Sequence, residues 1–139
     1  MAASPTQRTL KLLREQPGVG PVAITERWNP FANIRQDLFG FVDVLAVIGT
    51  HTVAVQTTSG SNVASRVTKI HAECGAAAQS LLNAGWLIFV IGWRKLKPRG
   101  TKVPKWTPRI VQILAVLPEL VTVECPEGFP WNQPSCAPF

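Results

Sequence analysis

The sequence predicts an α/β protein in which a mixed sheet of four to five strands is flanked by helices. Two β-rich runs separated by a turn signal indicate a hairpin, and a segment with helical periodicity follows them. A continuous apolar run of strand length comes next, which is typical of an interior strand covered on both faces. Hairpin strands that lead through a helix into a buried strand favour a sheet with both antiparallel and parallel neighbours.

The first predicted element is a helix over residues 6–16. Leu10 and Leu13 give it an apolar face, and the proline-glycine pair at residues 17–18 ends it. Residues 22–28 then favour a strand, although a short helix also fits them.

The predicted hairpin pairs residues 41–48 with residues 52–58. Both runs are rich in β-branched side chains, and Gly49 and Thr50 between them give the turn signal.

A helix over residues 61–73 follows the hairpin, because apolar residues from Val63 to Ile70 recur at the spacing of one helix face. Gly75 interrupts this pattern. We therefore expect a second short helix over residues 76–84.

The interior strand is predicted over residues 86–93, with the sequence WLIFVIGW. Residues 94–108 form a basic loop or hairpin arm, and residues 109–116 favour a further strand, with a short helix as the alternative. The last sixteen residues contain four prolines, which predicts a tail that is extended or wrapped on the surface. We expect one domain over residues 1–116 and a proline-rich extension over residues 117–139.

Composition excludes several classes of protein. The 139 residues are the size of one globular domain, and 46% hydrophobic against 16% charged residues excludes a disordered chain. No apolar run is long enough to cross a bilayer, so no membrane partner is expected. No secretory signal is recognisable, and three cysteines, an odd number, do not form a disulfide framework. We expect a cytoplasmic protein.

The charge distribution points to nucleic acid. Lys and Arg total 14 against 8 acidic residues, which gives a net charge of +6, and no acidic residue lies between Glu73 and Glu119. Such a cationic segment suits a phosphate backbone, with Trp106 as a candidate for base stacking. The alternative is a solvated basic hairpin that only aids solubility. The predicted contacts in this arm are Arg94, Lys95, Lys97, Arg99, Lys102 and Lys105.

Asp43 stands out because it lies in an apolar strand between two valines. A charge there is costly unless it faces a cleft, a metal ion or a cation. Gln56 and Thr58 share one face of the next strand, and the carbonyl of Thr57 lies between them, so these oxygens could join the carboxylate in holding a hard divalent ion. Glu26 and Asp37 precede the hairpin and could approach the same site. The alternative is a buried Asp43 that is paired with Arg35 or Arg66.

The turn over residues 57–62 carries hydroxyl groups and leads into a helix. Such a turn can bind phosphate, with Ser59 among its contacts, or can simply cap the helix.

The stretch over residues 24–69 contains DLFGFVDVLA, then VQTTS, then SNVASR. It resembles the PD-(D/E)XK nuclease superfamily, which includes restriction endonucleases and Holliday-junction resolvases. The similarity is closest to small phage and prophage members. It implies a restriction-endonuclease-like sheet and metal-dependent phosphodiester hydrolysis of DNA, with structure-selective or resolvase-like cleavage as one form of this activity. It also implies a phage- or prophage-encoded protein acting in the bacterial host, with a homodimer as one assembly.

The resemblance also implies roles for individual residues. Asp43 takes the position of the metal-binding aspartate, Gln56 that of the second acidic residue, Thr57 that of the carbonyl ligand, and Thr58 that of the catalytic lysine. Glu26 is the candidate for a further carboxylate, and the ion would be Mg²⁺ or Mn²⁺. The chain departs from the pattern twice, because Gln56 is neutral and Thr58 has no charge. The predicted catalytic set is Asp43, Gln56, Thr58 and Lys69, the metal set is Asp43, Gln56, Thr57 and Glu26, and Arg35, Ser59 and Arg66 are added as DNA contacts.

Lys69 enters the catalytic set because some relatives carry the lysine on a neighbouring helix, where Arg66 would lie on the same side. Two alternatives remain for the function. One is a degenerate nuclease fold that binds nucleic acid without cutting it, and the other is a phage interaction protein with its tail as a docking arm.

Overall fold

The computed structural model describes residues 3–100 and 102–132. Within these residues the chain forms two α-helices, eight strands and two short 3-10 turns. The helices are α1 (Pro5–Arg14) and α2 (Val63–Asn83), and the strands are β1 (Val19–Ile24), β2 (Arg27–Asn29), β3 (Ile34–Gln36), β4 (Val44–Ile48), β5 (His51–Ser59), β6 (Leu87–Leu96), β7 (Lys105–Ala115) and β8 (Val121–Glu124).

Six strands form one mixed sheet in the order β1-β4-β5-β6-β7-β8. β5 and β6 are parallel and joined through α2, whereas the other neighbours are antiparallel. This confirms the predicted α/β class with a mixed sheet and flanking helices. The sheet has one strand more than expected because β8 adds an edge strand beside β7. β2 and β3 form a separate two-stranded hairpin.

Helix α1 covers one face of the sheet. Ser4 caps it by accepting a hydrogen bond from the backbone N–H of Gln7 at 3.2 Å. Leu10 and Leu13 are buried against alternate residues of the strands, such as Val53 and Val55 of β5. This period of two is why a continuous apolar strand can serve two cores.

Helix α2 covers the other face, where Val63, Val67 and Ile70 pack on Ala54 and Val90. The two helices expected here are two helical segments within α2, joined by a kink at Cys74 (φ −124°, ψ 17°), next to the glycine that predicted the break.

The segment after residue 116 completes the core on the α1 face. Phe129 is fully buried, 5.1 Å from the ring centroid of Phe89 and stacked on Trp131 at 4.6 Å. The indole N–H of Trp131 donates to Gln16 Oε1 at 2.9 Å. The surface tail predicted for residues 124–139 is therefore wrong for the part that holds Phe129 and Trp131, and residues 133–139 lie outside the described residues. The four residues of β8 are exposed.

One end of the sheet gathers the predicted site residues. It holds the start of β4, the end of β5 and the end of β6, because Val44 pairs with Val55 and Ser59 pairs with Trp93. The segment predicted as one strand over residues 22–28 is split here, so that the β2–β3 hairpin follows the end of β1. None of the helices in the described ranges has the length and apolarity that a membrane span requires.

Candidate metal centre

Asp43 lies one residue before β4 and is 5% exposed. Its backbone N–H donates to the carbonyl of Val55 at 2.9 Å, and its carbonyl accepts from the N–H of Thr25 at 2.8 Å. The β4–β5 register places Asp43 opposite Gln56, so both side chains project from the same face of the sheet. The predicted strand position of Asp43 is therefore correct within one residue.

The carboxylate of Asp43 has no cationic partner in the described structure. Its Oδ2 accepts a hydrogen bond from the backbone N–H of Thr57 at 2.9 Å. The three ion pairs between described residues are Arg35–Glu26, Lys69–Glu73 and Arg109–Glu124. The alternative of an Asp43 paired with Arg35 or Arg66 is thus wrong.

Two further carboxylates converge on Asp43. Glu26 and Asp37 each place an oxygen so that the three acidic groups lie within 4.8 Å of one another. Glu26 comes just before β2 and Asp37 just after β3, so the base of the β2–β3 hairpin brings both to the start of β4. We call Glu26, Asp37 and Asp43 the acidic cluster.

Asp43 holds its proton more tightly than an ordinary aspartate does. Burial raises the pKa of Asp43 to about 8, against an ordinary value of 3.8. The hydrogen bond from Thr57 opposes this rise, while the side chain of Asp37 and the charge of Glu26 add to it. A divalent cation would favour the ionised form, because it replaces repulsion among carboxylates by attraction.

Gln56 and Thr57 supply further oxygens near the acidic cluster. Gln56 is 5% exposed, and its Oε1 is buried with no hydrogen-bond partner. An unpartnered buried oxygen is uncommon, since it costs about 1–3 kcal/mol. The N–H and C=O of one strand residue point to the same side, so the carbonyl of Thr57 faces the side of β5 on which Asp43 lies. These donors fit a hard, oxygen-preferring divalent ion.

A cleft of about 520 Å³ opens beside Asp43. It brings together Glu26 and Asp43 with three of the nine predicted DNA contacts, Arg35, Ser59 and Arg66, and with the first turn of α1. Its lining includes Ser4, Thr6, Gln7, Glu26, Arg35, Asp43, Thr57, Thr58, Ser59, Asn62 and Arg66. The site therefore joins an acidic floor to two arginines and several hydroxyl groups.

The structure does not bring Lys69 into this cleft. Lys69 lines a neighbouring hollow of about 840 Å³ together with Arg27, Arg35 and Asp37. Its Nζ lies 3.9 Å from Glu73, one helical turn further along α2. Thr58 is buried at the predicted lysine position, so Arg66 and Arg35 are the cationic side chains that line the cleft.

A buried hydrogen-bond chain supports the strand that holds Asp43. The hydroxyl groups of Thr9 and Thr57 lie 2.8 Å apart, and the indole N–H of Trp93 donates to Thr9 Oγ1 at 2.9 Å. The chain connects α1, β5 and β6 directly behind the Asp43–Thr57 contact. Sequence analysis missed Thr9, although a threonine on the apolar side of a helix beside Leu10 and Leu13 was a usable signal.

Gly92 allows the turn after β5 to lie close to β6. A Cβ atom at this position would lie 2.3 Å from Val63 Cγ2 and 2.8 Å from Gly60 Cα. Any larger residue at this position would push the turn that carries Ser59 away from the sheet.

The basic arm is the β6–β7 hairpin, which extends past the same end of the sheet to the pair Leu96–Lys105. Its predicted DNA contacts are therefore brought to the end of the sheet at which the acidic cluster lies. Trp106, the candidate for base stacking, already has Arg8 4.0 Å from its ring centroid and Lys95 Nζ at 5.3 Å. A base would have to displace a cation to stack there.

Comparison of the chain with protein-family models, with curated proteins and with solved structures finds no match in any of the three. The likeness to PD-(D/E)XK nucleases therefore stays a prediction from the sequence.

Proposed function

We propose that the protein is a metal-dependent nuclease that hydrolyses phosphodiester bonds in DNA, of the PD-(D/E)XK type. The observation that carries the proposal is the acidic cluster, in which a buried Asp43 meets two carboxylates and no cation at the edge of an arginine-lined cleft. Three carboxylates gathered in this way repel one another, and a divalent ion from solution would bind them through the oxygen ligands that it prefers.

The residues of the candidate metal centre would have different roles. Asp43, Glu26 and Asp37 would hold Mg²⁺ or Mn²⁺, and the oxygens of Gln56 and Thr57 lie nearby to complete the set. The N–H of Thr57 fixes one oxygen of Asp43 at 2.9 Å and so orients the carboxylate. A divalent ion held there supplies an activated water and positive charge for the phosphate.

The arginines of the cleft fit the role of phosphate ligands. The guanidinium of Arg66 makes no hydrogen bond or ion pair with another described residue. The guanidinium of Arg35 makes a single 3.4 Å contact with Glu26. Either can turn to a phosphate, where a guanidinium binds two oxygens at once. They would provide the charge that Thr58 lacks, with Lys69 as a further cation at the rim of the neighbouring hollow.

Strand order supports DNA as the substrate. The acidic cluster lies between the β2–β3 hairpin on the β1 side and the basic arm on the β6 side, and both hairpins extend beyond the same end of the sheet. A duplex or branch across this end would meet cations on both sides of the metal site.

A DNA-binding protein that does not cleave is the second candidate. The buried, uncharged Thr58 and the position of Lys69 outside the cleft favour it. It uses the same cationic surfaces without a catalytic ion.

The test is a titration of Mg²⁺ and Mn²⁺ against labelled single-stranded, duplex and branched DNA. We expect metal-dependent cleavage by the wild type and none by Asp43→Ala, while Glu124→Gln, distant on β8, cleaves normally. Mg²⁺ should also raise the melting temperature of the wild type, by the equivalent of about 3 kcal/mol at a hundred times Kd, and leave that of Asp43→Ala unchanged.

Salt-sensitive binding without cleavage would establish the second candidate instead. Failure of the wild type to bind either the metal or DNA would contradict both.

A further inference from the structure

The β2–β3 hairpin presents a large apolar side chain to solvent at its tip. Phe31 is 99% exposed, and Trp28 and Ile34 on the two strands are about half exposed. The hairpin forms no ladder with the main sheet. An aromatic ring held fully in water, with further apolar area below it, marks a surface that meets a partner.

The tip of the hairpin is a built turn. The side-chain oxygen of Asn29 accepts hydrogen bonds from the backbone N–H of Phe31 at 3.0 Å and of Ala32 at 3.2 Å. Asn33 has a left-handed conformation with φ 56°, which asparagine tolerates well. The backbone of Phe31 is therefore held in a defined turn, which reduces the chain ordering that binding would require.

The charge of the hairpin selects a polyanion as the occupant. Residues 27–36 contain two arginines and no acidic residue. The guanidinium of Arg27 makes no hydrogen bond or ion pair within the described ranges, and Arg35 lies directly across from Trp28. Cations beside flat apolar rings suit phosphates beside bases, which is the pattern of single-stranded and unstacked nucleic acid.

The position of the hairpin relates its tip to the acidic cluster. Glu26 and Asp37 flank its two strands, so the tip lies about five strand residues, roughly 16 Å, from the cluster. That length corresponds to about five nucleotides along one strand of a duplex. The hairpin therefore holds Phe31, which could stack on a base, at this distance from the acidic cluster, where a phosphate would bind.

We propose that the β2–β3 hairpin is a wedge that places Phe31 against an unpaired or opened base, about five nucleotides from the phosphate at the acidic cluster. Apolar side chains inserted between bases open the stack, and a site that is already open costs less to bind. The favoured substrate is therefore DNA with a fork, branch or unpaired segment. This inference rests on the proposed function, because the separation is measured from its metal site.

The experiment compares binding of a forked DNA and a matched duplex, with Ca²⁺ in place of Mg²⁺ so that bound DNA can be measured apart from cleavage. We expect the wild type to prefer the fork about tenfold, Phe31→Ala to lose most of that preference, and Phe31→Trp to keep it. Leu114→Ala, which removes another half-exposed apolar side chain on β7, is the matched control and should bind like the wild type.

A fluorescent adenine analogue, 2-aminopurine, scanned along the strand gives a second readout. The wild type should change its emission at one position near the fork, and Phe31→Ala should not. Because Phe31 is fully exposed, the melting temperature of Phe31→Ala should equal that of the wild type.

Equal fork preference in Phe31→Ala and the wild type would overturn the wedge. The wedge would also be overturned if the only effect of Phe31→Ala were the loss of binding to anionic phospholipid vesicles, or the loss of a dimer in sedimentation. If the protein cleaves DNA and Phe31 has no role in fork preference, only the wedge proposal is contradicted. If fork binding needs Phe31 but no cleavage occurs in Mg²⁺, only the nuclease proposal is contradicted.

Discussion

Two acidic side chains near opposite edges of the sheet have opposite surroundings. Glu124 on β8 is half exposed, and its Oε1 accepts hydrogen bonds from Nε of Arg109 at 3.0 Å and from Nη2 of the same group. Asp43 is buried, accepts one backbone N–H and faces two more acids. The fold places Arg109 of β7 beside Glu124 of the edge strand β8. No described arginine pairs with the buried Asp43.

The difference shows which of the two acids has a cationic partner and which has none among the described residues. The hydrogen bond to Glu124 raises the pKa of Arg109, so that pair is electrostatically complete. Burial raises the pKa of Asp43, and no described cation pairs with its carboxylate. Under the proposed function, a divalent ion would take that place.

The largest expected effect is on the pH dependence of folding without metal. Asp43 has a pKa of about 8 when folded against 3.8 otherwise, so the folded chain holds a proton that the unfolded chain releases. Stability is therefore full below about pH 4 and falls as the pH rises through 8. We expect a loss on the order of 4 kcal/mol between pH 5 and pH 8.

Urea unfolding in a chelator measures this loss, and Asp43→Asn should remove most of it. Glu124→Gln is the control and should follow the wild-type curve. Parallel curves for the wild type and Asp43→Asn would contradict a proton held at Asp43.

A smaller effect is expected when the acidic cluster gains a fourth carboxylate. Gln56→Glu places it opposite Asp43, where the partnerless amide oxygen lies. We expect Mg²⁺ affinity to rise about tenfold, or roughly 1.4 kcal/mol, and the metal-free protein to lose stability at pH 8.

Calorimetric titration of Mg²⁺ measures the affinity. Thr122→Glu, which adds the same charge on the exposed strand β8, should leave it unchanged. An unaltered affinity in Gln56→Glu would show that this side chain faces away from the ion.

The smallest effect is expected at the complete pair. Glu124→Gln should cost about 0.2–1 kcal/mol of unfolding free energy, because exposed pairs contribute little. A double-mutant cycle with Arg109→Met isolates the interaction. A change in metal affinity or cleavage in Glu124→Gln would contradict the contrast drawn between Glu124 and Asp43.

Part of the candidate site was predictable from the sequence. Asp43 was recognised because a lone acid among valines breaks an apolar pattern, and Gln56, Thr57 and Glu26 followed from the hairpin and from the resemblance. Asp37 was noted as able to approach the site and was not assigned to it. Its place depends on the path of the β2–β3 hairpin, whereas the sequence analysis predicted one strand over residues 22–28 and no hairpin after it. That hairpin is short and was too weak in pattern to be recognised.

By itself, the sequence determined the α/β class, the central hairpin, the interior strand and the acid that does not belong in an apolar strand. These depend on local periodicity and on the cost of burying a charge, and both can be judged along the chain. Only the tertiary structure decided that three carboxylates meet, that Arg35 pairs with Glu26 while Asp43 stays uncompensated, and that Phe31 projects beyond the site. Those outcomes depend on contacts between residues that are distant in sequence, because chain path and strand order decide which charges become neighbours.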